Sequence, residues 1–475
     1  MNPVETTAGM VGSMNGHSGA KGLTVIANRL PVAWDDDADD WHVSPGGLVS
    51  ALVPILRDRH GTWVGWTGAP GGDPLEPFDH EGIRQVPVSL TAEDVELYYE
   101  GFCNGTVWPL YHDAIRPLEM HRHWWRPYRE VNRRFADVAA EHSEPASPVW
   151  IQDYQLQLVP GMLRARFPDR RIGFFLHIPF PPPEIFGRLP WRSEILSGLL
   201  GSDVIGFQTR RSALNFARSA REYAGASGPA EAMWYEGRTV RLESVPISID
   251  TAEFRRLAVS PEITGAAHRL RDEIGGPRSM LLGVDRLDYT KGIDLRLRSF
   301  ETLLERRPDL AEQVTLVQVA VPSREGVGEY QIIRERIEQL VGRINGAYGR
   351  AGWTPVVYLH RSLPREELVA AYRAADVMVI TPLRDGMNLV AKEYVACRVD
   401  GTGVLVLSEF AGSAETMDRA LLVNPYDLDG LADTIERAVE MRPDEQRRRM
   451  RSLRRNVTRW DVYTWAAECL TALSG

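Results

Sequence analysis

The sequence predicts an α/β fold: two domains, each with a parallel sheet, and a ligand crevice at the strand ends. Three observations predict it. The chain has 475 residues, more than a single hydrophobic core usually serves. Short apolar runs alternate with helix-periodic segments, which is the pattern of βαβ units. At Thr381-Pro-Leu-Arg-Asp-Gly-Met-Asn-Leu-Val-Ala-Lys-Glu393 a buried-strand run, Asp376–Thr381, passes into a helix-prone run from Met387. Open α/β sheets bind their ligands at such junctions.

The first twenty residues are small and polar with no apolar core, so residues 1–20 are expected to form a disordered tail and not a signal peptide. Leu23–Ala27 opens the first domain as a short buried strand. Further strand-like runs fall at 61–66, 149–151, 172–176 and 204–207, with helix-like segments near 90–98, 122–140, 155–166 and 209–223. Pro179-Phe-Pro-Pro-Pro183 fits neither helix nor central strand and is read as a stiff loop. A second series begins after Val245-Pro-Ile-Ser-Ile249. Its strands are predicted at 280–284, 314–319, 356–359, 377–381, 404–408 and 421–423, and its helices at 291–306, 329–344, 365–374, 387–397 and 428–440. The domains are therefore set at 21–248 and 249–455. Residues 456–475, with Trp460, Tyr463 and Trp465, are expected to cross back and cap the first domain.

A net charge of −9, from 55 basic and 64 acidic residues, argues against nucleic acid as the main partner. No apolar run approaches the ~18 residues of a membrane span. Cys103, Cys397 and Cys469 lie far apart and form no metal-ligand or disulfide framework, which fits a reducing cytoplasm. The aspartate-rich run 35–40 reads as a solvated loop, and His121 and His123 lack the partners a zinc site needs. A symmetric oligomer is a base-rate expectation only.

The chemistry concentrates at strand ends. Gly386 lets a backbone approach a ligand, and the helix behind it offers free N–H groups to an anion. Asp385 and Glu393 flank that seat with oxygens that can accept from a vicinal diol. A phosphate seat between two such carboxylates suggests a nucleotide sugar. Arg286 and Lys291, in Gly283-Val-Asp-Arg-Leu-Asp-Tyr-Thr-Lys-Gly292, could hold a diphosphate leaving group without a divalent metal, or could be surface charges paired with Asp285 and Asp288. Gly46-Gly47 ahead of the apolar helix from Leu48 is a phosphate cradle or a plain turn. His177, at a strand end before the proline tract, is a ligand contact or a structural histidine. Asp153 could orient an acceptor hydroxyl or cap the next helix. Arg29, Tyr99, Trp108 and Arg324 have the right groups for a phosphomonoester pocket, but spacing alone does not bring them together.

Taken in order, Asn28–Pro31, Gly46–Leu48, Tyr98–Pro109, Trp150–Tyr154, Leu176–Phe180, Asp285–Gly292, Pro322–Arg324 and Asp385–Glu393 resemble the trehalose-6-phosphate synthases. These are retaining glycosyltransferases of the GT-B type, with two Rossmann-like domains facing a deep cleft. The resemblance implies transfer of glucose from a nucleoside diphosphate glucose (uridine, guanosine or adenosine) to glucose 6-phosphate. It places Gly46, Gly47, Arg286, Lys291, Leu363, Gly386, Met387, Asn388, Leu389, Val390, Ala391, Lys392 and Glu393 at the donor, with Leu363 acting through its backbone. It places His177 and Asp385 at the donor glucose, Arg29, Tyr99, Trp108 and Arg324 at the acceptor phosphate, and Asp153 at an acceptor hydroxyl. Arg286 and Lys291 are the expected catalytic cations, His177 and Asp385 complete the expected catalytic set, and no cofactor and no metal are expected. Gln152 and Gln155 depart from the histidines common in the family, which is expected to alter acceptor geometry. No Asp-x-Asp-Gly-Thr phosphatase motif occurs before Gly475, so the product is expected to stay phosphorylated. Rivals are a transferase with another phosphorylated acceptor, such as glycerol 3-phosphate, and a catalytically silent sugar-phosphate sensor. A nucleotide-sugar epimerase or dehydrogenase would need a glycine fingerprint that Asn28-Arg-Leu-Pro31 lacks.

Overall fold

The computed structural model describes residues 22–35, 40–44, 47–71, 75–115, 117–323 and 328–474. The expected tail, Gly46 and Arg324 lie outside these residues.

The first sheet draws on β1 (Thr24–Arg29), β4 (Thr62–Trp66), β5 (Phe78–His80), β6 (Ile83–Pro87), β7 (Val149–Gln152), β8 (Ile172–Leu176), β9 (Val204–Phe207), β10 (Ala232–Tyr235) and β11 (Arg238–Ser244). A separate hairpin pairs β2 (Val32–Asp35) with β3 (Asp40–Val43). The sheet runs β10-β11-β9-β8-β7-β1-β4-β6-β5. It is parallel except at its edges, where β5 and β10 pair antiparallel with β6 and β11. The central strands β1, β7, β8 and β9 are almost wholly buried, as sheets covered on both faces require.

The second sheet comprises β12 (Ser279–Arg286), β13 (Val314–Val321), β14 (Val356–Leu359), β15 (Val377–Ile380), β16 (Val404–Ser408) and β17 (Leu421–Val423). Its order, β14-β13-β12-β15-β16-β17, is all parallel and reverses direction between β12 and β15. This is the doubly wound, dinucleotide-fold order, and the crevice lies beyond the strand ends at that reversal. The first sheet reverses in the same way between β7 and β1. Arg29 therefore ends one strand beside Asp153, which follows the next, while Arg286 and Asp385 flank the equivalent point of the second sheet.

The strands of the second sheet fall where the sequence placed them, give or take end residues. Three features differ. The stretch expected as a helix near 90–98 is a single α-turn, Ala92–Asp94, that widens into a π-helix over Val95–Val107. Trp124 packs against Gly101 and Gly105 on that helix, where a Cβ would lie 2.8 and 3.1 Å from its ring. The strands at the two sides of the first sheet, β5 and β6 and β10 and β11, have mixed patterns and were not foreseen. Nor were the helices Thr251–Ala258, Pro261–Glu273 and Pro443–Arg459, although Asp250 and Ser260-Pro261 are recognisable start signals, each side chain accepting from the third residue on.

The helix Val462–Ser474 packs beneath the first sheet. Trp460 Nε1 donates to the Pro246 carbonyl at 2.6 Å, and Val462 N–H to that of Ile249 at 3.0 Å. Trp465 is fully buried, with ring centroids 5.4 Å from Trp150 and 5.2 Å from Phe175. Trp465→Ala is expected to cost about 3–5 kcal/mol, as other large-to-small core changes do. Urea denaturation measures this, and a loss under about 1 kcal/mol would mean the helix is not part of the cooperative core.

Candidate active site

Lys291 and Asp385 meet at the reversal of the second sheet. Lys291 Nζ lies 2.8 Å from Asp385 Oδ2, with side chains only 10% and 15% exposed, and Asn388 Nδ2 donates to the same oxygen at 3.2 Å. Burial raises the Asp385 carboxyl, but the Lys291 charge and hydrogen bond outweigh it and hold the group below the usual range. The alternative of surface cations paired with Asp285 and Asp288 does not hold for Lys291. Asp288 accepts from Thr290 and Tyr330, and Asp285 Oδ2 is taken by the guanidinium of Arg296 at 2.7 Å.

Arg296 supports the site from below. It is fully buried, and it also donates to Gln318 Oε1 at 2.7 Å and Thr381 Oγ1 at 3.1 Å. Asp285 is near the end of β12, Gln318 is within β13, and Thr381 follows β15, so one guanidinium ties together three neighbouring strands at the crevice. A Cβ at residue 283 would sit 2.2 Å from Arg296 Nη1, which is why glycine stands there. Nothing in Asp294-Leu-Arg296 sets this arginine apart from a surface one.

The first unit supplies the opposite wall. The Arg286 guanidinium sits 5.1 Å above the Trp108 ring, a cation–π distance. His112, one helical turn beyond Trp108, stacks on it at 4.0 Å and bonds its carbonyl oxygen through Nδ1 at 2.8 Å. Burial, then the nearby Lys291 charge, push His112 down to about 3, so it is neutral. Sequence reading passed over His112, although its i+4 spacing from Trp108 was a visible signal. Arg384 and Asp113 pair at 3.4 Å, again joining the two units. At Gly386 the walls touch, since a Cβ there would lie 2.2 Å from the His177 carbonyl oxygen.

Arg29 and Tyr99 come together around Trp66, with Arg29 at 4.3 Å and Tyr99 at 6.0 Å from its ring. Trp108 packs on Tyr154 at 5.7 Å, beside Asp153. Asp153 does not cap the following helix. It adopts φ +71°, and its Oδ1 accepts the His177 N–H at 3.1 Å, tying the ends of β7 and β8. Non-glycine residues seldom hold such a φ, and when they do it is often at a functional site.

In the stretch from Gly386 to Glu393 the side chains divide. Met387 is buried in the core cluster shared with the first sheet, and Ala391 is fully buried with its N–H accepted by Asn388 Oδ1. The Lys392 side chain is buried, and its ammonium donates to the Ile247 carbonyl at 2.7 Å. Leu389 and Val390 open the helix Leu389–Cys397, where amides have no preceding intrahelical acceptor. Glu393 accepts from the Tyr372 hydroxyl at 2.7 Å, and burial raises its carboxyl. Leu363 packs against the same apolar cluster as Leu389 and Val390. Gly47 begins the helix Gly47–Arg59.

A cleft between two parallel sheets, lined by cations at both strand reversals and by a helix N-terminus, defines a GT-B glycosyltransferase. The chain belongs to glycosyltransferase family 20, whose model matches residues 21–475. It is 52% identical over 469 residues to the trehalose-6-phosphate synthase of Mycolicibacterium smegmatis, covering 96% of this chain and 93% of that one. Among solved structures it resembles "Trehalose-6-phosphate from E. coli bound with UDP-2-fluoro glucose" (TM-score 0.89, 36% identity, 95% and 99% of the two chains). It also resembles an alpha,alpha-trehalose-phosphate synthase (UDP-forming) from Burkholderia xenovorans in complex with glucose-6-phosphate (TM-score 0.88, 34% identity, 95% and 100%).

Burial drags the Lys392 ammonium down to about 7, against an unfolded value of ~10.4. Between those values the unfolded chain holds more protons, so this residue makes stability rise with pH from about 7 towards about 10. Urea midpoints at about pH 7 and about pH 9.5 are expected to show wild type gaining on Lys392→Met. Parallel changes in the two proteins would refute the buried, depressed lysine.

Proposed function

We propose that the protein transfers glucose from a nucleoside diphosphate glucose to the anomeric hydroxyl of glucose 6-phosphate, with retention, giving α,α-trehalose 6-phosphate. The observation that carries this reading is the Lys291–Asp385 pair at the second sheet's reversal, with Arg286 on Trp108 beside it. Two cations there suit a departing diphosphate, and the Leu389 and Val390 amides extend the same anion seat. Glu393 would accept from the ribose hydroxyls, Leu363 would line the base through its backbone, and Gly46 and Gly47 would close over the donor phosphates. Asp385 and His177 would hold the donor glucose.

On the acceptor side, Arg29, Tyr99, Trp108 and Arg324 would hold the 6-phosphate, and Asp153 a hydroxyl. The approach of Arg29 and Tyr99 around Trp66 supports the first pair. Uridine diphosphate glucose stands first among the three donors, because the names of the solved relatives carry uridine nucleotides.

The reaction follows from these residue types. The acceptor hydroxyl attacks the anomeric carbon from the face the diphosphate leaves, and a phosphate oxygen takes its proton. The protein contributes orientation and fixed positive charge, which is why Arg286 and Lys291 suffice in the proposal without a metal.

Nucleotide release from uridine, guanosine and adenosine diphosphate glucose, with and without glucose 6-phosphate, tests the reading. Release that depends on glucose 6-phosphate is expected, and it should persist with a chelator present. No release with any donor would point to another acceptor or to a sensing role. Lys291→Ala is expected to lower turnover at saturating substrate by at least ~100-fold, equivalent to ~2.7 kcal/mol. Unchanged turnover would remove Lys291 from the chemistry.

A further inference from the structure

His177 is held between two glutamines whose orientations a backbone group dictates. The Ile247 N–H donates to Gln208 Oε1 at 2.8 Å. A peptide N–H can only donate, so the amide oxygen of Gln208 must face Ile247. Its NH2 group then faces His177 Nδ1, 3.2 Å away. An amide NH2 also only donates, so Nδ1 accepts and carries no proton. The proton of the neutral ring therefore sits on Nε2, which lies 3.0 Å from Gln152 Oε1 and donates to it.

The reversed amide of Gln152 would set NH2 against N–H, so that orientation is fixed as well. Gln152 Nε2 is left buried with no partner among the described residues, a cost accepted for keeping the oxygen on the histidine. The two glutamines are 1% and 3% exposed, so water does not compete for these bonds. An imidazolium would press an Nδ1–H against the Gln208 NH2. Phe175 at 4.7 Å and Trp465 at 6.0 Å pack around the ring, and the His177 N–H is tied to Asp153, leaving the ring little room to turn.

We infer that Gln208 and Gln152 are positioning residues that lock His177 as its neutral Nε2–H tautomer with both ring nitrogens engaged, so that the ring cannot act as a base and the His177 backbone is held where its carbonyl meets Gly386 at the cleft. Burial alone drives the imidazole in the same direction, down to about 3. The lock is a property of the folded chain, and only its consequence for the sugar rests on the glucosyl-transfer reading. A ring that cannot accept a proton removes His177 from the groups that could take the proton of the attacking hydroxyl.

The test is a long-range 1H–15N spectrum of the full chain labelled with 15N-histidine, without substrates, with the His177 signals assigned from their loss in His177→Gln. The expected result is an unprotonated Nδ1 and a protonated Nε2, unchanged from about pH 8 to about pH 5.5, across the range where a free histidine titrates. A protonated Nδ1, or a ring that gains charge in that range, would overturn the inference whether or not the protein transfers glucose.

Gln208→Glu is nearly isosteric and can still accept from Ile247, but it puts an oxygen on Nδ1. It is expected to draw a proton onto Nδ1, and an unaltered Nε2–H tautomer in the folded variant would also count against the lock. Kinetics then locate the effect. In Gln208→Glu, kcat/KM for the nucleotide sugar, whose glucose His177 is proposed to hold, is expected to fall about tenfold, while the KM for glucose 6-phosphate stays within about twofold. A change confined to glucose 6-phosphate would contradict a donor-side role.

Discussion

The Lys291–Asp385 pair is the contact on which the rest of the site depends. It lies where the second sheet reverses, nearly out of water, and brings together the loops after β12 and β15. A buried pair adds little stability in itself, but losing one partner leaves a costly uncompensated charge. Beneath the pair, Arg296 ties Asp285, Gln318 and Thr381 on three neighbouring strands. A rigid frame of this kind suits a catalyst whose proposed work is to present fixed charge to a leaving group.

The first sheet completes the site through a few contacts across the cleft. Arg286 rests on Trp108, Arg384 meets Asp113, and Gly386 lies against the His177 carbonyl. The chain then returns, and Trp465 packs beneath Phe175 and His177. Each wall of the cleft thus carries residues that fix the other, and substrates that bridge the cleft would add to this seam.

The second sheet was legible because its strands are continuous apolar runs between strongly periodic helices, the pattern buried parallel strands impose. The outer strands of the first sheet were not, since β5, β6 and β10 mix polar and apolar residues in short runs. The widening of Val95–Val107 into a π-helix left no periodic signal, and Trp124, which packs against its Gly101 and Gly105, lies on a later helix. Strand-end placement pointed to Arg286, Lys291, Asp385 and His177, which the structure brings to the two walls of the cleft. It missed Arg296 and Gln208, whose roles come from partners remote in sequence. It also assigned Lys392 to the donor segment as a whole, although periodicity alone could not show that this side chain faces the core and reaches Ile247. The alternatives at Asp153 were open for the same reason, since the carboxylate's partner, the His177 N–H, is on another strand.

A double-mutant cycle on the pair tests the central claim most directly. Turnover would be measured for Lys291→Met, Asp385→Asn and the double variant, each checked for fold. If the two side chains act as one unit, the double variant loses little more than the worse single variant, as residues acting together do. If the two deficits simply add in free energy, Lys291 and Asp385 work independently, and the account of a single charge unit at the strand reversal is wrong.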